Sequence, residues 1–423
     1  MTTPDSDLAE GVVPESLPMH IAPPRDTFLP WHRVKKEFIR QRQWNELTRR
    51  MISKRWQREL SQPEQNWTID QEDVSIEGVT FPKEMDLKHS LNCLMIPGDD
   101  LLDVRALWRD IQDLNCPMKY LGFHEGQGSE QPETHVHVAN NAVTSLPRVA
   151  KESCVVRDVF ERIGNSNSQA YQYLKKYGPY HIINLDFCGS MFPNVTKESQ
   201  EYYDALHRLL IYQFDAHKSD WLLFVTTLVE PDTFHKEKLE HLCKPTCENI
   251  ATHSDFAERV RTMFPDNTFD PAHNAIDLTQ LNGDQMVQLF GLALGKWLLR
   301  ICHAATPQWT VALCRSYQYV INADKGAVML SLAFAFRPNI KPPADPTGVS
   351  QVEVVPRYFR DEGECALQMA SSVAMIADVD GILTSDQALR DRLRNDKADL
   401  LAQAGYDRDA YLKWVLEGEI SAV

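Results

Sequence analysis

Short apolar runs alternate with helical stretches between residues 91 and 229, and this alternation constrains the fold more than any other feature of the sequence. Helical periodicity is clearest at 103–114, 166–177 and 197–217. Strands that alternate with helices predict βαβ units and a mainly parallel sheet, which is an α/β fold. The apolar runs are LNCLMI (91–96), MKYLGF (118–123), SCVVRDVF (153–160), YHIINLDF (180–187) and WLLFVTTLV (221–229).

A predicted antiparallel hairpin closes this pattern. After a helical stretch at 283–304, the segment SYQYVINADKGAVMLSLAFAF (316–336) reads as two strands joined by a turn. We therefore assign an α/β domain to residues 72–336. A Pro-rich linker (337–360) follows, and a C-terminal helical segment (361–423) completes the chain.

The N-terminal part of the chain has a different composition. Residues 1–23 are polar and rich in proline, which predicts a disordered leader with no signal peptide. Apolar residues then recur at helical spacing among basic ones, and we name residues 24–71 the arm. Residues 24–60 contain 11 Lys/Arg and 4 Asp/Glu, whereas the whole chain has a formal net charge of −15.

Two interpretations of the arm stay open. It packs on the acidic body as an intramolecular strap, with Trp31, Trp44 and Trp56 in a core, or it binds nucleic acid through phosphate contacts. The arginines predicted to contact nucleic acid are Arg42, Arg49, Arg50, Arg55 and Arg58.

Hydropathy and cysteine usage indicate the compartment. No window reaches the roughly 18 uncharged apolar residues of a membrane span, so no membrane association is expected. The nine cysteines are scattered and odd in number. Without a secretion signal they are expected to be reduced, in a cytoplasmic protein.

Polar residues follow the predicted strands at the edge where ligands bind. The strand at 180–187 runs into Asp186, and open α/β sheets bind ligands at the carboxyl ends of their strands. The three earlier strands are followed by Gly98 and Asp99, by Glu125, and by Asp158.

Five βα units that end in an antiparallel pair resemble the class I S-adenosylmethionine-dependent methyltransferases, over roughly residues 72–336. The resemblance implies a cofactor site for S-adenosylmethionine. It places Gly98 and Asp99 near the methionine part of the cofactor. It places Glu125 on the ribose hydroxyls, with His124 as a poorer match.

The same resemblance assigns the third and fourth strand ends. Asp158 corresponds to the acid that binds the adenine amino group, and Asp186 to the acid that faces the methyl acceptor. The residue types suit these roles, because a carboxylate accepts hydrogen bonds from a diol or an amine. The chain departs from the family pattern in two places. The loop Pro97–Asp100 contains one glycine where the family has two or three, and DFCGS (186–190) keeps only the acid of the fourth motif.

The predicted function is methyl transfer from S-adenosylmethionine to a nucleic acid, protein or small-molecule acceptor. The alternative is a catalytically inactive methyltransferase-like scaffold or binding subunit of a multi-protein complex, which docks on a protein partner through the C-terminal helices or the arm. A nucleotide-binding α/β hydrolase is less favoured. The sequence has no Gly-x-Ser-x-Gly elbow and no Gly-Lys-Ser/Thr loop.

Three further motifs were weighed against simpler explanations. Cys188 is interpreted as a packing residue in preference to a nucleophile, because the adjacent acid would raise its pKa. HLCKPTC (241–247) lacks a second cysteine pair at finger distance, so no metal site is predicted. The alternation in THVHV (134–138) predicts a solvated edge strand.

Overall fold

The structure is a computed structural model. It describes residues 25–29, 32–60, 90–114, 116–124, 132–187, 189–191, 196–230, 236–322, 327–338, 347, 349 and 361–420. The predictions that concern the leader, most of the Pro-rich linker, Trp31, Glu125 and Cys188 lie outside the described residues, as do those on the side chains of Arg55, Trp56 and Arg58.

The helices and strands follow the predicted alternation. The helices are α1 (Val34–Ile39), α2 (Glu46–Leu60), α3 (Leu102–Ile111), α4 (Pro132–Thr144), α5 (Gln169–Tyr177), α6 (Thr196–Ala216), α7 (Lys236–Thr252), α8 (Ser254–Met263), α9 (Gly283–Ala304), α10 (Glu362–Val373), α11 (Val379–Ser385), α12 (Gln387–Gln403) and α13 (Arg408–Ile420). The strands are β1 (Leu91–Met95), β2 (Met118–Phe123), β3 (Cys154–Val156), β4 (Ile182–Asp186), β5 (Trp221–Val229), β6 (Phe269–Asp270), β7 (Ala275–Ile276), β8 (Trp309–Leu313), β9 (Tyr317–Asn322), β10 (Ala327–Pro338) and β11 (Ala377–Asp378).

One large, mostly parallel sheet organises the molecule. Its strand order is β3-β2-β1-β4-β5-β10-β9-β11, and β8 pairs with β10 beyond the end of β9. Strands β1 to β5 are parallel neighbours, whereas β10 is antiparallel to β5, β8 and β9. The predicted α/β class, the mainly parallel sheet and the antiparallel hairpin are confirmed.

The predicted edge strand at 134–138 is wrong, because these residues lie inside α4. Val136, Ala139 and Val143 are buried at helical spacing, while His137 and Val138 between them are exposed. A five-residue window shows alternation in either structure, and the burial period becomes visible only over the longer stretch.

Each face of the sheet has its own core. The first contains residues of α5 to α10, packed on side chains such as Ile183 and Val225. The second contains residues of α1, α2, α3, α4 and α12, packed on side chains such as Ile182 and Phe224. Parallel strands covered on both faces account for the near-continuous apolar runs in β4 and β5.

The arm is an integral layer of the second core. Phe38, Ile39, Trp44 and Ile52 are buried against the sheet and its neighbouring helices. Between α1 and α2 the chain forms one π-helical turn, Arg40–Asn45, which inserts a residue into the helix.

The C-terminal helices pack within the same molecule. Helix α12 lies against α1 and α3, helix α10 lies against α8 and α9, and β11 extends the sheet beside β9. The Asp386 side chain caps α12 by accepting a hydrogen bond from Leu389 N–H, and Gly405 after the end of this helix has a φ of 88°. Arg25 pairs with Tyr406 through two backbone hydrogen bonds, from Arg25 N–H to Gly405 O and from Asp407 N–H to Arg25 O.

Candidate functional site

The loop after β1 leaves open space beside Gly98. Gly98 is exposed, and a Cβ built at this position meets no atom within 4 Å. Its carbonyl accepts a hydrogen bond from Leu101 N–H at 3.0 Å, and α3 begins at the next residue. The backbone here can be approached closely by a ligand.

The ends of β1 and β2 are joined by Asp99 and His124. The Nε2 atom of His124 lies 2.8 Å from Oδ1 of Asp99. This hydrogen bond holds the pKa of the Asp99 carboxyl below its ordinary value, despite the opposing effect of partial burial. The structure therefore brings together Gly98, Asp99 and His124.

Asp158 lies after β3, as predicted, with its side chain 7% exposed. Its Oδ1 accepts a hydrogen bond from Val159 N–H at 2.9 Å. The same oxygen forms an ion pair with Nη1 of Arg162 at 3.1 Å. The carboxylate is thus fixed by its own loop at the carboxyl edge of the sheet.

Asp186, at the end of β4, lies beneath the arm and forms an ion pair with Lys36. The Lys36 ammonium also lies 4.8 Å from the centre of the Trp44 ring. Both side chains are largely buried, with 8% of Lys36 and 14% of Asp186 exposed. The residue predicted to face a methyl acceptor therefore contacts a lysine of the same chain.

A cluster of buried charges surrounds this ion pair, and we name it the arm cluster. Arg40 Nε donates to Asp103 Oδ1 at 2.7 Å, and Arg109 donates to Glu37 at 3.0 Å. The arm cluster consists of Lys36, Glu37, Arg40, Asp103, Arg109, Asp186 and Lys397.

The members of the arm cluster titrate abnormally. Burial alone would raise the pKa of Asp103, but Arg40 and Lys36 offset this and hold it below its ordinary value. Burial raises the pKa of Asp186 despite the adjacent Lys36. Lys397 is fully buried, and its Nζ has no hydrogen-bond partner among the described residues, so burial and Arg40 lower its pKa well below its ordinary value.

Sequence reasoning missed most of the arm cluster. Of its members, Asp186 alone is predicted as a site residue from the sequence. A signal was present for Lys397, because it follows Leu393 by four residues and precedes Leu400 by three, on the buried face of α12.

The arginines proposed for nucleic-acid contact are placed as follows. Arg49 forms two hydrogen bonds with Asp113, at 2.7 and 2.9 Å, and Arg50 forms an ion pair with Glu46 at 2.7 Å. Arg42 is partly buried. The two paired arginines thus have acidic partners in this chain.

The described ranges contain neither a cluster of metal ligands nor a membrane-spanning helix. No group of three or more His, Cys, Asp or Glu side chains is placed to hold a metal ion there. Cys243 and Cys247 of the HLCKPTC motif lie in α7, where burial raises the pKa of both thiols. None of the described helices has the length and apolar character needed to cross a bilayer.

A family model described as PP_RS20740-like matches residues 25–416, which is most of the chain. The chain belongs to the PP_RS20740-like family. The match runs from Arg25, which pairs with Tyr406, to α13, so it includes the whole arm cluster. No curated protein and no solved structure matches the chain.

Proposed function

We propose that the chain binds S-adenosylmethionine at the carboxyl ends of β1, β2 and β3 and transfers its methyl group to an acceptor. The observation that carries the proposal is the strand order β3-β2-β1-β4-β5, followed by the antiparallel β10. The order 3-2-1-4-5 is that of doubly wound sheets, which bind nucleotide-containing ligands at this edge, where the strand order reverses.

The described residues fit such a cofactor in type and position. Gly98 leaves room for close approach of a ligand to the backbone after β1. The Asp99–His124 pair combines a carboxylate with an imidazole beside it, which can accept from and donate to hydroxyl groups. Asp158 offers a fixed carboxylate one strand further along.

The protein's part in the reaction would be alignment and exclusion of water, since the cofactor brings an already activated methyl group. Lys36 contacts Oδ1 of Asp186 and leaves Oδ2 as the second proton-accepting oxygen of this carboxylate. The methyl acceptor, whether a nucleic acid, a protein or a small molecule, would therefore approach Oδ2 or displace Lys36.

A second candidate is favoured by the same ion pair. Lys36 neutralises Asp186, and the arm covers the face of the sheet on which it lies. A methyltransferase-like scaffold without catalytic activity, acting as a binding subunit of a complex, needs no free acid at this position. The enzyme must bind S-adenosylmethionine and consume it, whereas the scaffold does not consume it and need not bind it.

Calorimetric titration of the full chain with S-adenosylmethionine and with its demethylated product tests the first step. We expect micromolar binding of both. Asp158→Ala is expected to weaken binding at least tenfold, because a hydrogen bond to a charged group is lost, while the melting temperature changes little. Arg162→Ala is the matched control, since the Arg162 side chain is 68% exposed and only its ion pair with Asp158 is removed.

Absence of binding up to millimolar concentration of either ligand would rule out the enzyme and favour the scaffold. Binding without loss of S-adenosylmethionine during incubation with nucleic-acid, protein and small-molecule acceptors would favour a non-catalytic cofactor-binding subunit. Unchanged affinity in Asp158→Ala would show that this carboxylate is not part of the cofactor site.

A further inference from the structure

A small cavity lies between the arm and the sheet, beneath the π-helical turn. Trp44, Asn45, Thr48, Asp103 and Asn184 line it together with apolar side chains from β1, α3, β4 and β5. Its interior of about 10 Å³ matches the room needed for one water molecule.

Three buried polar atoms of the lining have no hydrogen-bond partner among the described residues. They are Nε1 of Trp44, Oγ1 of Thr48 and Oδ1 of Asn184. Trp44 and Thr48 are four residues apart on the arm, and Asn184 lies on the arm-facing side of β4, two residues before Asp186. Three unpaired polar atoms around one cavity are an improbable arrangement for a dry core.

The hydrogen-bonding types of these atoms are complementary to water. The indole N–H of Trp44 can only donate, the amide oxygen of Asn184 can only accept, and the hydroxyl of Thr48 can do either. A water molecule accepts up to two hydrogen bonds and donates two, so one molecule can satisfy all three atoms.

We propose that one internal water molecule occupies this cavity and joins the arm to β4. It accepts a hydrogen bond from Trp44 Nε1, donates one to Asn184 Oδ1 and exchanges one with the Thr48 hydroxyl. Ile182 and Phe224 supply apolar contacts to the arm beside it. The water link thus sets the position of the arm along the strand, because a shift of the arm would leave these atoms unpaired.

The sign of a stability change distinguishes a hydrated cavity from a dry one. In a dry cavity the Thr48 hydroxyl is an unpaired buried group, so Thr48→Val, which keeps the shape, raises the melting temperature. In a hydrated cavity the same change removes a hydrogen bond from the water and lowers the melting temperature by about 1–2 °C for a chain of this size. We expect the decrease for Thr48→Val and also for Asn184→Leu.

Two threonines provide matched controls for Thr48→Val. Thr246 is also fully buried in a helix, and its hydroxyl has no hydrogen-bond partner among the described residues, so Thr246→Val is expected to leave the melting temperature unchanged or raise it. Thr226 is fully buried and its hydroxyl lies 2.9 Å from that of Ser331, so Thr226→Val gives the decrease for a known lost bond.

A crystal structure at better than about 1.8 Å resolution tests the site directly. A solvent peak within hydrogen-bond distance of Trp44 Nε1, Thr48 Oγ1 and Asn184 Oδ1 is the expected result. A cavity without solvent density, or a higher melting temperature in Thr48→Val, would overturn the proposal.

Discussion

The ammonium of Lys36 in the arm forms an ion pair with the carboxylate of Asp186, the last residue of β4. The two residues are 150 positions apart in the chain. Their contact closes the arm-facing side of the sheet at the end of β4. It also means that the acid predicted to face the methyl acceptor forms an ion pair within the protein itself.

Removing the Lys36 charge is expected to destabilise the fold. In Lys36→Met the carboxylate of Asp186 is left buried without its cation, and the free energy of unfolding should fall by about 3 kcal/mol at pH 8. The loss should be smaller at pH 5.5. The pKa of Asp186 is already raised by burial, and loss of Lys36 raises it further, so the folded state binds a proton that the unfolded chain has released.

Chemical denaturation of the variant at the two pH values measures this effect. Lys35→Met is the control, because Lys35 pairs with Asp380 and both side chains are about 30% exposed, so its removal should cost less than about 1 kcal/mol. Combining Lys36→Met with Asp186→Asn should recover part of the loss. Equal effects of the Lys35 and Lys36 changes would contradict the argument.

Acid sensitivity should depend on His32. Burial is the main reason that its pKa falls from 6.5 to about 3, and its Nδ1 accepts a hydrogen bond from Leu29 N–H at 3.2 Å. The folded-state pKa is depressed, so the unfolded chain binds a proton first. Its contribution to stability is complete above pH 6.5 and is lost progressively as the pH falls toward 3.

Chemical denaturation of the wild type and His32→Gln between pH 7 and 4.5 tests this dependence. Over this range the free energy of unfolding of the wild type should fall by on the order of 2 kcal/mol more than that of the variant, since glutamine accepts the same hydrogen bond without titrating. His273→Gln serves for comparison, because the His273 side chain is 79% exposed. Parallel pH curves for wild type and His32→Gln would refute the assignment.

Cofactor binding should be sensitive to a single methyl group at residue 98. Gly98→Ala introduces a Cβ that meets no atom within 4 Å, so the melting temperature should stay within about 1 °C of the wild type. A ligand close to the backbone would meet the new methyl group. We expect the dissociation constant for S-adenosylmethionine to rise at least tenfold, or about 1.4 kcal/mol.

Gly283→Ala is the matched control for Gly98→Ala. A Cβ at residue 283 also meets no atom within 4 Å. Gly283 begins α9 beside β9. Strand β9 is the fourth strand from β1 in the sheet, so the two strands are roughly 19 Å apart. The cofactor affinity of the Gly283 variant should equal that of the wild type. If the Gly98 variant binds S-adenosylmethionine as tightly as the Gly283 variant, the cofactor does not bind against the loop after β1.

Deleting residues 1–60 should destabilise the whole fold. Phe38, Ile39, Trp44 and Ile52 fill the second core, and each large buried apolar side chain contributes about 2–5 kcal/mol. The melting temperature of the deletion variant, or its loss from the soluble fraction, measures the effect. A truncated protein that melts like the wild type but loses nucleic-acid binding would support the alternative interpretation.

Arg42→Gln tests that alternative without removing the arm. If the arm contacts six to eight phosphates, the affinity of the wild type for duplex nucleic acid falls as the salt concentration rises. The slope of log K against log salt concentration is then about −5 to −7. The Arg42 variant would then show a slope smaller in magnitude by about 1. A salt-independent affinity in the wild type would exclude phosphate contacts as the role of the arm.

The order and type of the elements could be predicted because local patterns encode them. The segment at 221–229 is β5 with the same bounds, and the stretch at 283–304 is α9, since each is a long apolar pattern with clear ends. The prediction of an edge strand at 134–138 is wrong because an alternation over five residues does not show the spacing of buried residues in the longer helix around it.

The partners of the site residues could not be predicted. Asp186 ends β4 and Asp158 follows β3, and no local feature distinguishes the acid that pairs with a lysine of the arm from the acid that is bound by its own loop. The arm cluster unites residues from α1, the π-helical turn, α3, β4 and α12. Such contacts join residues far apart in the chain, and local periodicity and turn signals do not report which of them meet.

The closing contacts between the arm and the C-terminal helices have a consequence for synthesis on the ribosome. The Tyr411 hydroxyl donates to the carbonyl of His32, 379 residues earlier in the chain. At about 5–20 residues per second, the arm waits roughly 20–75 s between its own translation and that of this partner. For the last part of that interval the strands of the sheet are already made while α12 and α13 are not, so the apolar surface that these helices cover is exposed to chaperone binding or aggregation until they emerge.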